Sequence, residues 1–296
     1  MSPLRRRRLS PDEWYPAGRT NVAARFVTLA DGERVRIVEA GPPSGTPVLL
    51  LHGWGASAYS FRRLIPLLVE AGLRAIAVDL RGHGRSDRPA APGAYSAAAL
   101  VQYVLRLLDR MGIARAVLVG QSMSGAVALD VWFAAPDRVM GAVLLAPIGF
   151  TTLRRIAVAR LARARHWSPD RVPRWVVTLL LRRVYGRRGT WDGRDVDEYW
   201  WPLHEARTTA SLMALVTEFD WMPRDPGPAA HGVPPLRVLL GERDKLISWS
   251  RATAWARRIP AARVTVVPGA GHLLAEEVPE ETAREIVAVA DSRPAP

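Results

Sequence analysis

The stretch Val117-Leu118-Val119-Gly120-Gln121-Ser122-Met123-Ser124-Gly125 decides how this chain is read. A continuous apolar run of this kind is a strand buried on both faces, which places it in a parallel sheet. The run ends in a glycine, and a small-residue segment that reads as a helix begins at once after Ser122. A sharp strand-to-helix turn holds its central serine in a strained conformation, so the residues two before and two after it must be small. Gly120 fills the first position. Ser124 stands at the second, and Gly125 follows it. A helix N-terminus beneath Ser122 favours developing negative charge. Ser122 is the candidate nucleophile, and the Met123 backbone N–H is a candidate oxyanion donor.

Outward from this turn, short apolar runs alternate with helical segments. Residues 22–29 and 34–39 are joined by Asp31-Gly32, a hairpin signal. A strand at 48–51, a helix at 58–70, a strand at 74–79 and a helix at 96–111 follow. The strand 116–120, a helix at 124–134 and a strand at 139–146 complete the first half. Alternation of this kind specifies a doubly wound α/β domain. The pattern breaks after Gly149, where helices are expected at 153–165, 174–185, 196–205 and 208–219. Alternation resumes with a strand at 236–240, a helix at 249–258, a strand at 263–267 and a last helix at 279–290. This divides the chain into an N-terminal arm (1–21), an α/β core (22–148 and 232–296) and an inserted helical cap or lid (149–231). The Pro- and Gly-rich stretch 223–235 reads as the return hinge.

A serine hydroxyl needs a base to accept its proton. Six histidines are available: His52, His83, His166, His204, His231 and His272. His272, in Pro268-Gly269-Ala270-Gly271-His272, follows a strand and precedes the last helix. That is the carboxyl end of a strand, where chemistry gathers in open α/β sheets. His166, His204 and His231 fall in the insertion, with no strand end to aim them. His83 lies in a Gly-rich turn and reads as structural, as does His52. The base needs an acid to hold its tautomer. Asp244, in Gly241-Glu242-Arg243-Asp244, follows the strand 236–240. Glu242 is its local rival, but the longer loop position suits reach toward a neighbouring strand. A second oxyanion donor is expected from the Trp54 backbone N–H, in Leu51-His52-Gly53-Trp54-Gly55, where glycines let the backbone approach a substrate.

Taken together, these motifs resemble the α/β-hydrolase superfamily of the capped, fold-1 type. The resemblance rests on His52-Gly53-Trp54-Gly55, Asp79-Leu80-Arg81-Gly82-His83-Gly84-Arg85-Ser86-Asp87, Gly120-Gln121-Ser122-Met123, Gly241-Glu242-Arg243-Asp244 and Gly271-His272. The order Ser122, Asp244, His272 is the order of nucleophile, acid and base in that fold. The resemblance implies an eight-stranded, mostly parallel sheet flanked by helices, with a helical cap after the sixth strand. It further implies serine esterase-like activity, with no cofactor and no metal. It narrows the reaction less than the fold: C–C bond hydrolysis of a dienoic diketone, lactone, thioester or amide hydrolysis, and perhydrolysis use the same triad. Dehalogenase and epoxide-hydrolase relatives carry an aspartate nucleophile where this chain has Ser122.

Composition bounds the remaining alternatives. With 49% hydrophobic and 23% charged residues, the chain has too much apolar surface to stay disordered. Zero cysteines remove a disulfide scaffold, a thiolate metal site and a cysteine nucleophile. The formal charge of +13 comes from 41 Lys+Arg against 28 Asp+Glu, and Lys245 is the only lysine. Near-exclusion of lysine beside abundant Ala, Gly and Pro reads as codon bias, and no nucleic-acid motif accompanies the charge, so no nucleic-acid partner is expected. Residues 149–188 carry eleven arginines and one acid, Asp170. That segment is either a solvated outer face or a docking surface for a membrane, an acidic partner or an anionic substrate. Arg5 to Arg8 resemble a signal-peptide start, but Ser10, Pro11, Asp12 and Glu13 follow where an apolar region belongs. No run approaches the ~18 apolar residues of a membrane span. The expectation is a cytoplasmic enzyme acting on a small-molecule ester. A non-catalytic ligand-binding relative is the contrasting reading, and the complete triad argues against it.

Overall fold

The computed structural model describes residues 13–150, 172–225 and 233–292. Its centre is one eight-stranded sheet in the order β1-β2-β4-β3-β5-β6-β7-β8. The strands are β1 (Ala23–Thr28), β2 (Arg34–Ala40), β3 (Pro47–Leu51), β4 (Arg74–Val78), β5 (Ala116–Gln121), β6 (Val139–Leu145), β7 (Leu236–Gly241) and β8 (Ala262–Val267). The β1–β2 hairpin is antiparallel, and β2 also runs against β4. From β4 to β8 every pairing is parallel. The parallel strands therefore deliver their carboxyl ends to one edge of the sheet. The all-apolar runs behave as expected, since every residue of β5 is buried.

Helices α1 (Leu64–Glu70), α2 (Ala97–Arg110) and α3 (Met123–Ala134) connect the first strands, and α7 (Trp249–Ala256), α8 (Leu274–Glu277) and α9 (Pro279–Ala290) the last. Between β6 and β7 lie α4 (Arg174–Val184), α5 (Gly193–Trp200) and α6 (Thr208–Glu218). The helix expected at 153–165 falls outside the described residues. Leu212 and Leu215 of α6, with Phe219 just beyond its end, join the main core, whereas Val177, Leu181, Tyr185 and Val196 form a separate apolar cluster.

Two local expectations are corrected. The helix at 58–70 divides into a 3₁₀ turn, Ala58–Phe61, and α1. Pro66 has no N–H to give to a carbonyl one turn earlier, so it sits in the first turn of a new helix. The helix at 196–205 begins earlier, at Gly193, because Asp192 and Asp195 form a capping box. It ends at Trp200 and passes into a 3₁₀ turn containing Pro202. The short helix α8, directly after His272, was not foreseen. In the arm, Trp14 and Tyr15 are buried. The Tyr15 N–H donates to Glu198 Oε1 on α5 (3.0 Å). Among the described residues, no helix is long and apolar enough to cross a membrane.

Candidate active site

Three strand ends bring together residues that are far apart in sequence. Ser122 follows β5 directly and holds φ 57°, ψ −116° as the N-cap of α3. A non-glycine residue at positive φ persists only where its surroundings hold it. Here the Ser122 N–H donates to Leu145 O (2.9 Å), and Ser122 O accepts from Ile148 N (3.0 Å) and Gly125 N (2.9 Å). The tip of β6 thus clamps the turn. Gly120 is required in that clamp, because a Cβ there would lie 2.2 Å from Ser124 O.

His272, in the loop after β8, approaches from the far side. Its Nε2 lies 2.9 Å from Ser122 Oγ, and its Nδ1 lies 2.8 Å from Asp244 Oδ2. A carboxylate accepts only, so Nδ1 carries the proton and Nε2 presents its lone pair to the Ser122 hydroxyl. Asp244 Oδ1 is held by the N–H groups of Leu246 (2.7 Å) and Ile247 (2.9 Å). The end of β7 approaches the histidine loop so closely that a Cβ on Gly241 would sit 1.9 Å from Gly271 O. The rival acid Glu242 is elsewhere, with Oε2 accepting from Gly269 N (3.0 Å). His204 is also elsewhere: it packs on Trp200 and Trp201, and its Nδ1 bonds to Trp200 O (3.1 Å). His166 and His231 lie outside the described residues.

Of the two expected donors, Met123 follows Ser122 directly, and Trp54 follows Gly53, which lies against Ser122. Met123 is the first residue of α3, where backbone N–H groups have no intrahelical partner. Gly53, adjacent to Trp54, is so close that a Cβ would meet Ser122 Cβ at 3.1 Å and Ser122 Oγ at 3.7 Å. The Trp54 indole donates to Leu212 O on α6 (3.1 Å), tying this loop to the helices between β6 and β7.

Two buried histidines make the loop rigid. The Leu80 N–H donates to His52 Nε2 (3.0 Å), so His52 Nδ1 carries the proton and donates to Gly53 O (2.7 Å). In the same way, Gly55 N–H donates to His83 Nε2 (3.0 Å) while His83 Nδ1 donates to Arg81 O (3.1 Å). Both rings are neutral. Burial lowers the pKa of His52, and burial together with neighbouring His52 pushes His83 down to about 3. Beneath them Asp79 is fully buried. Burial drives its carboxyl up, but Arg36 (2.9 Å) and the N–H groups of Ala58 and Arg85 outweigh that and hold it below the usual range. Gly84 lets the turn close on this carboxylate, since a Cβ there would lie 2.2 Å from it.

Sequence reasoning missed four positioning groups. The buried Ser124 hydroxyl donates to His52 O, joining α3 to the Trp54 loop. The Gln121 amide donates to His272 O (2.7 Å) and Leu145 O (3.2 Å). Glu277 accepts from Gly186 N (2.7 Å), Gly271 N (3.0 Å) and Leu273 N (3.2 Å), pinning the backbone on both sides of His272. Arg62 pairs with Glu276 (2.5 Å) and with Asp195 of α5, and Tyr185 and Tyr199 donate to Glu276.

The parallel sheet, the strained serine turn and the Ser–Asp–His order define an α/β hydrolase. The family model for the alpha/beta hydrolase fold matches residues 46–279, and the chain belongs to this family. Among relatives, it is 30% identical over 277 residues to the dihydrolipoyllysine-residue acetyltransferase component of an acetoin cleaving system from Pseudomonas putida, covering 87% of this chain and 66% of that protein. It is 41% identical over 115 residues to epoxide hydrolase A of Mycobacterium tuberculosis, covering 39% of this chain and 36% of that one. The chain therefore spans less than two thirds of the length of these relatives. Among solved structures, 2-hydroxy-6-oxo-6-phenylhexa-2,4-dienoate hydrolase from Rhodococcus sp. strain RHA1 shares the fold at a TM-score of 0.76 and 22% identity, covering 92% of this chain and 100% of that one. Family membership supports hydrolase activity and leaves open which bond is cut.

Proposed function

We propose that the protein hydrolyses a carboxylic ester of a small or medium, largely apolar substrate through an acyl-enzyme. The observation that carries this reading is the hydrogen-bonded chain Asp244–His272–Ser122, at 2.8 and 2.9 Å. Ser122 Oγ attacks the ester carbonyl as His272 Nε2 takes its proton. The Trp54 and Met123 N–H groups receive the oxyanion. His272 then returns the proton to the departing alcohol, leaving the acyl group on Ser122. Water, deprotonated by the same Nε2, releases the acid and restores the serine. Asp244 keeps the Nδ1–H tautomer and stabilises the imidazolium. An epoxide hydrolase or dehalogenase working through a carboxylate nucleophile would need an acid where Ser122 stands. Residues 149–231 serve in this reading as a cap over the substrate. Two bonds support that role: Trp54 Nε1 to Leu212 O, and His272 N to Val184 O (2.7 Å), which ties the histidine loop to the end of α4.

The test is hydrolysis of p-nitrophenyl esters from acetyl to dodecanoyl by the wild type and by Ser122→Ala. Turnover abolished by the substitution, with the circular dichroism unchanged, is expected, and the chain-length optimum sizes the acyl pocket. Full activity in Ser122→Ala overturns the assignment of the nucleophile. Fluorophosphonate labelling of Ser122 without turnover of any ester keeps the nucleophile and overturns the ester.

A further inference from the structure

Helix α4 is amphipathic in an unusual sense. Its inward side carries Val177 and Leu181, followed by Tyr185 at its end, all buried. At about 3.6 residues per turn, Trp175, Leu179, Arg182 and Arg183 fall on the opposite side, with Leu180 at its shoulder. An outward helix face in a soluble protein is ordinarily polar. Here Trp175 is 62% exposed, Leu179 51% and Leu180 55%, three of the largest apolar exposures among the described residues. The charge carried by this segment of the chain has one sign. Arg182, Arg183, Arg187 and Arg188 are exposed, and no acid occurs between Asp170 and Asp192. Arg174 pairs with Asp197 (2.6 Å) and Arg188 with Glu281 (2.5 Å). Arg182, Arg183 and Arg187 make no ion pair with a described residue.

We propose that this face of α4 docks the protein on an anionic lipid bilayer. A tryptophan and two leucines ringed by arginines match both layers of such a surface. The apolar side chains enter the acyl boundary, and the guanidinium groups meet lipid phosphates. A soluble polyanion would engage the arginines and leave the Trp–Leu–Leu centre in water, so the apolar centre favours lipid. The helix is already folded and packed on its inner side, so docking adds little ordering entropy. It also brings the bilayer to the helix whose last residue, Val184, accepts the His272 N–H. The inference does not depend on the ester reading.

The chain has no cysteine, so Leu179→Cys introduces a single thiol. An environment-sensitive thiol dye is attached there in the Ser122→Ala background, which spares the lipid. A second preparation carries the dye at Thr28→Cys, exposed on the opposite edge strand β1. Vesicles of phosphatidylglycerol and phosphatidylcholine should raise and blue-shift the Leu179→Cys signal severalfold, and leave the Thr28→Cys signal unchanged. Pure phosphatidylcholine should give much less, and raised salt should reverse the effect. Each arginine near the surface is worth about fivefold in partitioning, so adding R182Q/R183Q should weaken binding by about 25-fold. No change on anionic vesicles overturns the proposal. So does a dye already shielded before lipid is added, which would show that residues 151–171 or a second copy cover this face. An equal response to duplex DNA or to an acidic protein assigns the face to that partner instead.

Discussion

Acidification should unlock the oxyanion loop through His83. In the folded protein His83 is neutral, with a pKa near 3, and in the unfolded chain it titrates near 6.5. Below 6.5 the unfolded state gains a proton that the folded state refuses, so stability falls as the pH drops and the loss continues until the pH nears 3. Each pH unit within that window removes about 1.4 kcal/mol. At pH 4.5 the His83 contribution is therefore about 2.7 kcal/mol down. For a chain of 296 residues the unfolding entropy is about 0.6 kcal/mol/K, so the melting temperature should fall by about 4–5 °C from this group alone. His52, also lowered by burial, adds in the same direction. The structural reason is specific: a proton on His83 Nε2 would point at the Gly55 N–H that now donates to it. Denaturant unfolding of wild type and His83→Gln at pH 7.5, 6.5, 5.5 and 4.5 isolates the effect. The variant is expected to start less stable but to lose about 1.4 kcal/mol less per unit below pH 6.5 than the wild type. Parallel pH slopes for the two proteins would refute the reasoning.

Other perturbations probe the groups around the triad. Arg62→Leu strands the buried carboxylates of Glu276 and Asp195, so urea denaturation should show a loss of about 3–5 kcal/mol; a loss under about 1 kcal/mol would mean that water replaces the guanidinium. Ser124→Ala removes the hydroxyl bond to His52 O and should lower kcat about tenfold with KM unchanged, as expected for one hydrogen bond of about 1–1.5 kcal/mol. A raised KM at constant kcat would place Ser124 in substrate binding instead. Gly241→Ala forces a Cβ to 1.9 Å from Gly271 O, which displaces the histidine loop. Fluorophosphonate labelling of Ser122 should slow sharply in any protein that folds, and a wild-type labelling rate would contradict the close approach.

The elements that the sequence alone determined are those decided within a few residues of themselves. Val117 to Gly125 specified strand, strained turn and helix because buried strands tolerate only apolar side chains and the turn tolerates only small neighbours. Asp31-Gly32 specified its hairpin for a similar local reason, and the parallel sheet followed from the alternation. Boundaries failed where one residue outweighed the periodicity, as Pro66 and Pro202 did in splitting helices and Asp192 did in starting one early. The triad was legible because each member follows its own strand. Loop length alone favoured Asp244 over Glu242, and the side-by-side packing of β7 and β8 is what brings it to His272, 28 residues further along the chain. The buried ties are wholly tertiary. Arg62, the α5 pair Asp195 and Tyr199, and Glu276 come from three separate segments, and Glu277 joins Gly186 to the His272 loop across 91 residues. Such contacts leave no period or motif in the sequence, because a side chain's partner across the fold is set by the packing of whole elements and not by its neighbours in the chain.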